Sequence, residues 1–227
     1  MTEPSVENRR PIKSRASGWA QGSARLLAKA GASPNLISGA SVAFAGLGGA
    51  LMALAGVSSP GVRGAALIVA AACVQLRLIC NLLDGMVAVE FKRGSTSGPI
   101  WNELPDRFSD ALFLAGAGAC AYGSLHPVIG VSLGWIAAVL AVTTAYVREL
   151  GRGLGLPADF SGPMAKPQRM ATLTATCVIA AFEPLWGGRG EIMLLGLAVI
   201  VLGAALTVAR RTRTIARALA ERGRAAA

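Results

Sequence analysis

Acidic and amide side chains gather in one stretch of a chain that is otherwise rich in Ala, Leu, Gly and Val. Residues 81–110 read NLLDGMVAVEFKRGSTSGPIWNELPDRFSD. Carboxylates within apolar helical segments cost several kcal/mol each unless a partner compensates them, so they mark functional sites. The polar positions of this stretch are Asn81, Asp84, Glu90, Asn102, Glu103, Asp106 and Asp110.

The spacing of these residues predicts two polar stripes on neighbouring helices. Residues three and four positions apart share one face of a helix, so Asn81, Asp84 and Ala88 line one side, and Arg77 extends this side by one turn. The second stripe has four-residue spacing and consists of Asn102, Asp106 and Asp110. We expect the two stripes to face each other and to form a pocket lined with oxygen atoms.

An oxygen-lined pocket favours a divalent cation. Carboxylates held close together repel each other unless a cation neutralises them, and oxygen ligands favour Mg²⁺, Mn²⁺ or Ca²⁺ over Zn²⁺. A phosphate group bridging to the metal is the expected ligand, because the small residues Gly85, Ala88 and Gly98 allow a close approach to the backbone. The alternative is structural: the carboxylates pair with Arg77 or Arg107 and stabilise helix packing.

The composition predicts an all-α, polytopic membrane protein. Hydrophobic residues make up 53% of the 227 residues and charged residues only 15%, whereas soluble domains carry about 25% charged residues. The apolar residues occur in blocks of about 20, the length that crosses a bilayer as a helix. Six spans are predicted, at 34–56, 64–87, 106–125, 128–149, 169–185 and 191–210.

The distribution of basic residues predicts the orientation. The net charge is +10, yet Arg63 and Arg189 are the basic residues of the first and fifth loops, whereas both tails are strongly basic. Cytoplasmic loops are enriched in Lys and Arg, so both termini are expected on the cytoplasmic side of a bacterial inner membrane. Nucleic-acid binding is not expected, because aromatic residues make up only 5% of the chain and stacking platforms need more.

The chain then divides into a cytoplasmic tail with a juxtamembrane helix at 1–33, a six-helix transmembrane domain at 34–210 and a basic cytoplasmic tail at 211–227. The segment 17–31 combines Trp19, Leu26 and Leu27 with basic residues, which suits an amphipathic helix at the membrane surface. An ordinary tail is the alternative there. No cleaved signal peptide is expected, and the four cysteines are expected to be free, buried apolar residues.

The segment 81–106 resembles the signature of the CDP-alcohol phosphatidyltransferase family, D-x-x-D-G-x-x-A-R-x8-G-x3-D-x3-D. Every spacing is preserved, and the matching residues are Asp84, Gly85, Ala88, Gly98 and Asp106. The departures are Asn81 and Asn102 in place of two acids and Val89 in place of the arginine. The segment SPNLIS at 33–38 also resembles the start of the family's first span.

The resemblance implies transfer of a phosphatidyl group from CDP-diacylglycerol to an alcohol, with release of CMP, by a homodimer that uses Mg²⁺ or Mn²⁺. It implies Asp106 as the general base. The implied metal ligands are Asn81, Asp84, Asn102 and Asp106, with Glu90, Glu103 or Asp110 compensating for the two lost acids. The implied CDP-binding residues are Asn35, Gly85, Ala88 and Gly98.

Basic residues around the end of the fourth span and the start of the fifth suggest an anionic acceptor. Arg148, Arg152, Lys166 and Arg169 would hold the phosphate of a phosphorylated alcohol, as basic residues do in the equivalent region of the family. Retention of loops on the cytoplasmic side is the alternative role for these four residues. Two other functions stay open: a catalytically silent relative that binds lipid or nucleotide as a scaffold, and a small cation transporter.

Overall fold

Seven α-helices make up most of the chain. The computed structural model describes residues 13–91, 93–124 and 126–225, and these contain no β-strand, which confirms the predicted all-α fold. The helices are α1 (Gly18–Lys29), α2 (Pro34–Ala55), α3 (Pro60–Glu90), α4 (Gly98–Cys120), α5 (Pro127–Gly153), α6 (Lys166–Phe182) and α7 (Glu191–Ala225). Within the described residues, short 3-10 helices occur at Lys13–Ala16, Ala121–Gly123 and Glu183–Trp186.

Four of these helices, α2, α3, α5 and α7, are long and apolar enough to cross a membrane. The protein is therefore an integral membrane protein. The helix α6 has only 17 residues, and α4 carries the acidic stripe in its first half. The count of six spans therefore stays a prediction.

Helix α4 begins earlier than expected. The sequence places 98–105 in a loop because of its glycine, prolines and charges, but the structure continues the helix through this segment, so that prediction is wrong. Pro99 lies in the first turn of α4, where proline is tolerated because its missing N–H has no intrahelical partner. The second proline of the segment, Pro105, lies inside α4 and is buried. Asn102 and Glu103 are consequently helical residues.

Helix α7 is longer than its predicted span. It continues to Ala225, so most of the basic segment 211–227 is helical, in keeping with its content of Ala and Arg. The guanidinium of Arg222 donates hydrogen bonds of 2.8 Å to the carbonyl oxygens of Leu154 and Gly155, just after α5. The end of α7 is thereby attached to the loop between α5 and α6.

The six long helices form a closed ring in the order α3, α2, α4, α5, α7, α6 and back to α3. Large side chains such as Met52, Phe113 and Leu197 are completely buried inside it, and the four cysteines are free. Small residues let the backbones approach: a Cβ built on Gly116 would lie only 2.6 Å from the Cα of Gly49. Such contacts are typical of helices packed in membranes.

Helix α2 has a well-defined start. The side chain of Ser33 accepts a hydrogen bond of 3.2 Å from the backbone N–H of Leu36, and Pro34 occupies the first turn. Serine caps and first-turn prolines both stabilise helix N-termini. The predicted start of the first span at residue 34 is confirmed.

The helix α1 packs on α3 through Ala20, Ala24 and Ala28. Trp19 and Leu26 are exposed, with 52% and 70% of their surface accessible. The predicted helix is confirmed, and its position at the membrane surface stays a prediction. The residues before Lys13, including Arg9 and Arg10 of the basic tail, lie outside the described residues.

A buried ion pair closes the end of the bundle where α2 ends and α3 begins. Arg63 and Glu183 are 3.0 Å apart and almost fully buried. The backbone N–H of Ile192 donates to Glu183 at 3.0 Å, and Arg63 donates to the carbonyl oxygen of Ala55 at 3.4 Å. This pair joins α3 to the connection between α6 and α7, and no pattern in the sequence predicted it.

Candidate active site

The acidic residues lie at the opposite end of the bundle. Hydrogen bonds connect the first turns of α2 to the last turns of α3, and the beginning of α4 to α3 and α6. The ends of five helices therefore meet here, since Arg148 near the end of α5 also contacts α4. The two predicted polar stripes contact each other through Arg77 and Asn81 of α3 and Asp106 and Asp110 of α4.

Asp106 is the centre of the cluster and is only 14% exposed. One of its oxygens accepts hydrogen bonds from Arg77, at 3.2 Å, and from the amide of Asn81. The ammonium of Lys166 binds the other oxygen. Both oxygens of Asp106 are thus occupied by donors from α3 and α6.

Asp110 lies one turn deeper and is bound by two arginines. The guanidinium of Arg77 donates to one oxygen at 3.1 Å, and that of Arg169 donates to the other. None of the three side chains is more than 1% exposed. Because a buried carboxylate is tolerated only when it is paired and hydrogen-bonded, this triad is a structural element of the bundle.

Asp84 has a different environment. Its carboxylate accepts a hydrogen bond of 2.7 Å from the hydroxyl of Ser38 on α2, and the backbone N–H of Gly85 also donates to it. The described residues provide it with no ion pair, although Asp106 and Lys166 are close enough for their charges to act on it. Asp84 is therefore the carboxylate of the cluster that lacks a bound cation.

The charges of the cluster balance without an added ion. Asp84, Asp106 and Asp110 supply three negative charges, and Arg77, Lys166 and Arg169 supply three positive charges. Within the described part of the chain, Nε and Nη1 of Arg77 and Nε of Arg169 are buried without an acceptor. The cluster therefore has more hydrogen-bond donors than acceptor oxygens, and it has no excess of negative charge.

Of the remaining predicted ligands, two are exposed and one has arginine partners. Asn102 and Glu90 are exposed. Glu103 pairs with Arg107 on its own helix and with Arg148 at 2.6 Å. Among residues 13–91, 93–124 and 126–225, no three acidic, His or Cys side chains gather in a metal-binding arrangement. The set of metal ligands therefore stays a prediction.

The predicted phosphate-binding residues all have carboxylate partners. Lys166 and Arg169 bind Asp106 and Asp110. Arg148 pairs with Glu103 and Glu149 and lies over the ring of Phe160, 5.3 Å from its centre. Arg152 is partly exposed and pairs with Glu149 at 2.7 Å. Their role in binding an acceptor stays a prediction.

A cavity of about 410 Å³ lies beside Arg148, between α5 and the second half of α7. Its walls are mostly apolar, and Arg148, Asp159 and Arg211 are its charged lining residues. Arg211 is held by the carbonyl oxygens of Thr144 and Ser161, at 2.8 and 2.9 Å. The cavity offers room for a small molecule beside the cluster of helix ends.

The predicted CDP-binding residues lie at the same end of the bundle. Asn35 is in the first turn of α2, Gly85 and Ala88 are in the last two turns of α3, and Gly98 begins α4. A Cβ added to Gly98 would have only Ser95 Oγ nearby, at 3.9 Å. Protein packing therefore does not require glycine at this position, which leaves space for a ligand; nucleotide binding stays a prediction.

Sequence reasoning missed Ser38 as the partner of Asp84. Ser38 lies one turn after Pro34 in the segment that resembles the family, and this position could have indicated that it belongs to the site. It also placed Arg77 in the stripe without identifying which acids it binds.

Comparison with known proteins identifies the fold. No family model matches the sequence. An uncharacterised protein of Aquifex aeolicus (strain VF5) is 26% identical over 187 residues, which cover 82% of this chain and 84% of that protein.

Solved structures of Mycobacterium tuberculosis phosphatidylinositol phosphate synthase (PgsA1) are similar to this chain. The complex with CDP-DAG has a TM-score of 0.73 at 18% identity and covers 88% of this chain and 94% of that one. The complex with manganese and citrate has a TM-score of 0.72 at 19% identity, with coverage of 86% and 88%. The apo form gives 0.70 at 19%, with coverage of 86% and 94%. At such low identity, the likeness establishes a shared fold.

Proposed function

We propose that this chain is a transferase of the CDP-alcohol phosphatidyltransferase type, which moves a phosphatidyl group from CDP-diacylglycerol to an alcohol and releases CMP. The observation that carries the proposal is the position of Asp84 and Asp106. They keep the signature spacing and lie on facing helices at one end of the bundle. The fold, shared with a synthase whose structure contains CDP-DAG, supports the same function.

Some of the oxygen atoms of this cluster are suited to binding a divalent ion, and others are not. Asp84 and the amide oxygen of Asn81 would hold Mg²⁺ or Mn²⁺, because both ions prefer oxygen ligands. Asp106 would join them only after Lys166 leaves, since Arg77, Asn81 and Lys166 bind both of its oxygens. Asp110 does not fit this role, since arginines bind both of its oxygens in a buried setting. When bound, the ion offsets negative charge on the diphosphate and on the leaving group.

Asp106 is the proposed general base. The oxygen of the acceptor alcohol forms a bond to the phosphorus of the phosphatidyl group, the bond between that phosphorus and CMP breaks, and the alcohol proton passes to Oδ2 of Asp106. A positioned carboxylate is suited to this proton transfer. Lys166 binds Oδ2 in this structure, so the ion pair must open before Asp106 accepts the proton.

The proposal also covers the orientation of the site in the membrane, the binding of the acceptor and the oligomeric state. We place the cluster at the cytoplasmic leaflet of a bacterial inner membrane, with both termini cytoplasmic, because the basic residues concentrate at that end of the helices. An acceptor phosphate would bind near Arg148 and would compete there with Glu103 and Glu149. Homodimerisation is proposed from the family resemblance alone.

Release of CMP tests the activity. Purified protein in detergent is incubated with CDP-diacylglycerol, Mg²⁺ or Mn²⁺ and a panel of alcohols and alcohol phosphates. Wild type and the control Glu221→Gln, an exposed change on α7, should release CMP in the presence of one acceptor. Asp106→Asn should not. Equal release by Asp106→Asn would overturn the assignment of the general base.

A second candidate function is binding of the CDP-linked lipid without turnover. The observation that favours it is the neutral charge of the cluster, together with Asn81 and Asn102 at positions where the family has acids. Binding of CDP-diacylglycerol by wild type, with no CMP released from any acceptor, would support this candidate and contradict the transferase.

A further inference from the structure

Lys166 is a cation of the cluster that binds Asp106 from outside the segment that resembles the family signature. It begins α6, sixty residues after Asp106, and its ammonium binds Oδ2 of Asp106 at the proposed catalytic carboxylate. Its side chain is 23% exposed, whereas Arg77 and Arg169 are at most 1% exposed. Lys166 is thus the cation of the cluster nearest to solvent.

The residues around Asp106 leave no negative charge for an additional cation. The three carboxylates and the three cations balance, and two positions that are acids in the family signature are Asn81 and Asn102. Several guanidinium nitrogens in the described cluster lack an acceptor. A divalent ion placed next to Asp106 would meet Lys166 and Arg77 at short range, and it would be repelled by both.

We propose that Lys166 excludes a divalent ion from Asp106, so that the site binds a single Mn²⁺ or Mg²⁺, at Asp84. This inference rests on the proposed function, because that function supplies the reason for a metal at these carboxylates. Asp84 is the carboxylate left for the single ion, because no cation of the described residues pairs with it and its partners are the neutral donors Ser38 and the backbone N–H of Gly85. Lys166 supplies fixed positive charge beside the diphosphate.

The experiment is a titration of the full chain in detergent with Mn²⁺, in which the free ion is followed by electron paramagnetic resonance. No lipid substrate is present, so the readout is independent of turnover. Lys166→Met removes the competing charge and should bind Mn²⁺ more tightly by roughly tenfold or more. Wild type should bind one ion, and Lys166→Arg should resemble wild type because it keeps the charge.

Arg152→Met is the matched control, because it removes a cation at the same end of the bundle that pairs with Glu149 and not with the cluster. It should leave Mn²⁺ affinity unchanged. Should Lys166→Met fail to fold by circular dichroism and gel filtration, Lys166→Gln removes the same charge while keeping a donor for Asp106.

Unchanged or weaker Mn²⁺ binding by the folded neutral variant would overturn the proposal, as would binding of two ions by wild type. Tighter binding by Lys166→Arg would also overturn it, because loss of charge would then not be the cause. Release of CMP by wild type combined with unchanged Mn²⁺ affinity in the variant would refute this inference alone. Tighter binding by the variant without CMP release from wild type would leave this inference standing and refute the transferase.

Discussion

Arg77 on α3 and Asp110 on α4 form an ion pair of 3.1 Å in which neither side chain is more than 1% exposed. The same guanidinium nitrogen also lies 3.2 Å from Asp106. One arginine therefore holds together the two acids of α4 that are nearest the proposed reaction centre.

Replacing this arginine should destabilise the bundle. Arg77→Met leaves Asp110 with Arg169 as its remaining cation, and breaking a buried pair from one side costs about 3–5 kcal/mol. We expect a clear fall in the thermal unfolding midpoint in detergent. Arg152→Met is the control, because its pair with Glu149 is partly exposed and contributes at most about 1 kcal/mol. Similar midpoints for the two variants would contradict the structural role of Arg77.

The hydrogen bond from the hydroxyl of Ser38 to Asp84 should stabilise the folded protein. Ser38→Ala removes the donor that binds this buried carboxylate at 2.7 Å, and loss of such a partner costs about 1–3 kcal/mol. Ser41, also buried on α2, has a hydroxyl without a hydrogen-bond partner in the described structure. Ser41→Ala should therefore be neutral or stabilising in the same unfolding assay, and a reversed order of the two variants would refute this account.

Close contact between α2 and α4 should require glycine at 116. A Cβ there would lie 2.6 Å from the Cα of Gly49, and it would meet backbone atoms that cannot rotate away. Gly116→Ala is expected to cost about 1–3 kcal/mol, as overpacking does in well-packed cores. Gly46→Ala on α2 is the control, because its Cβ would meet nothing within 4 Å. The measurement is again the unfolding midpoint, and equal effects would show that the helices separate easily.

Restoring the first signature acid should make stability depend on metal. Asn81→Asp removes the amide N–H that donates to Asp106 and puts a negative charge in its place. Without Mn²⁺ we expect a lower unfolding midpoint than in wild type, because the two carboxylates repel each other. Added Mn²⁺ should raise this midpoint more than it raises that of wild type, since a bound ligand stabilises the folded state.

Asn102→Asp is the comparison for this experiment. Asn102 is exposed, so the metal-free protein should unfold at nearly the wild-type temperature. A metal-free Asn81→Asp variant as stable as wild type would show that the amide of Asn81 does not support Asp106.

The sequence alone determined the helices and the faces that carry the polar residues. Apolar blocks of about 20 residues placed most helices within a few residues of their ends, because hydrophobic length is a local property. The start of α4 was misplaced since glycine and proline usually indicate a loop, although a proline near a helix N-terminus is compatible with helix. Four-residue spacing put Asp106 and Asp110 on one face for the same local reason.

The partners of these carboxylates depend on how the helices pack. Periodicity assigns a residue to a face of its own helix, but it does not determine which helices are neighbours or how each is rotated. Lys166 reaches Asp106 from α6, and Ser38 reaches Asp84 from α2, because the closed ring brings these distant helix ends together. The charge balance of the site depends on that packing, so it became visible only in three dimensions.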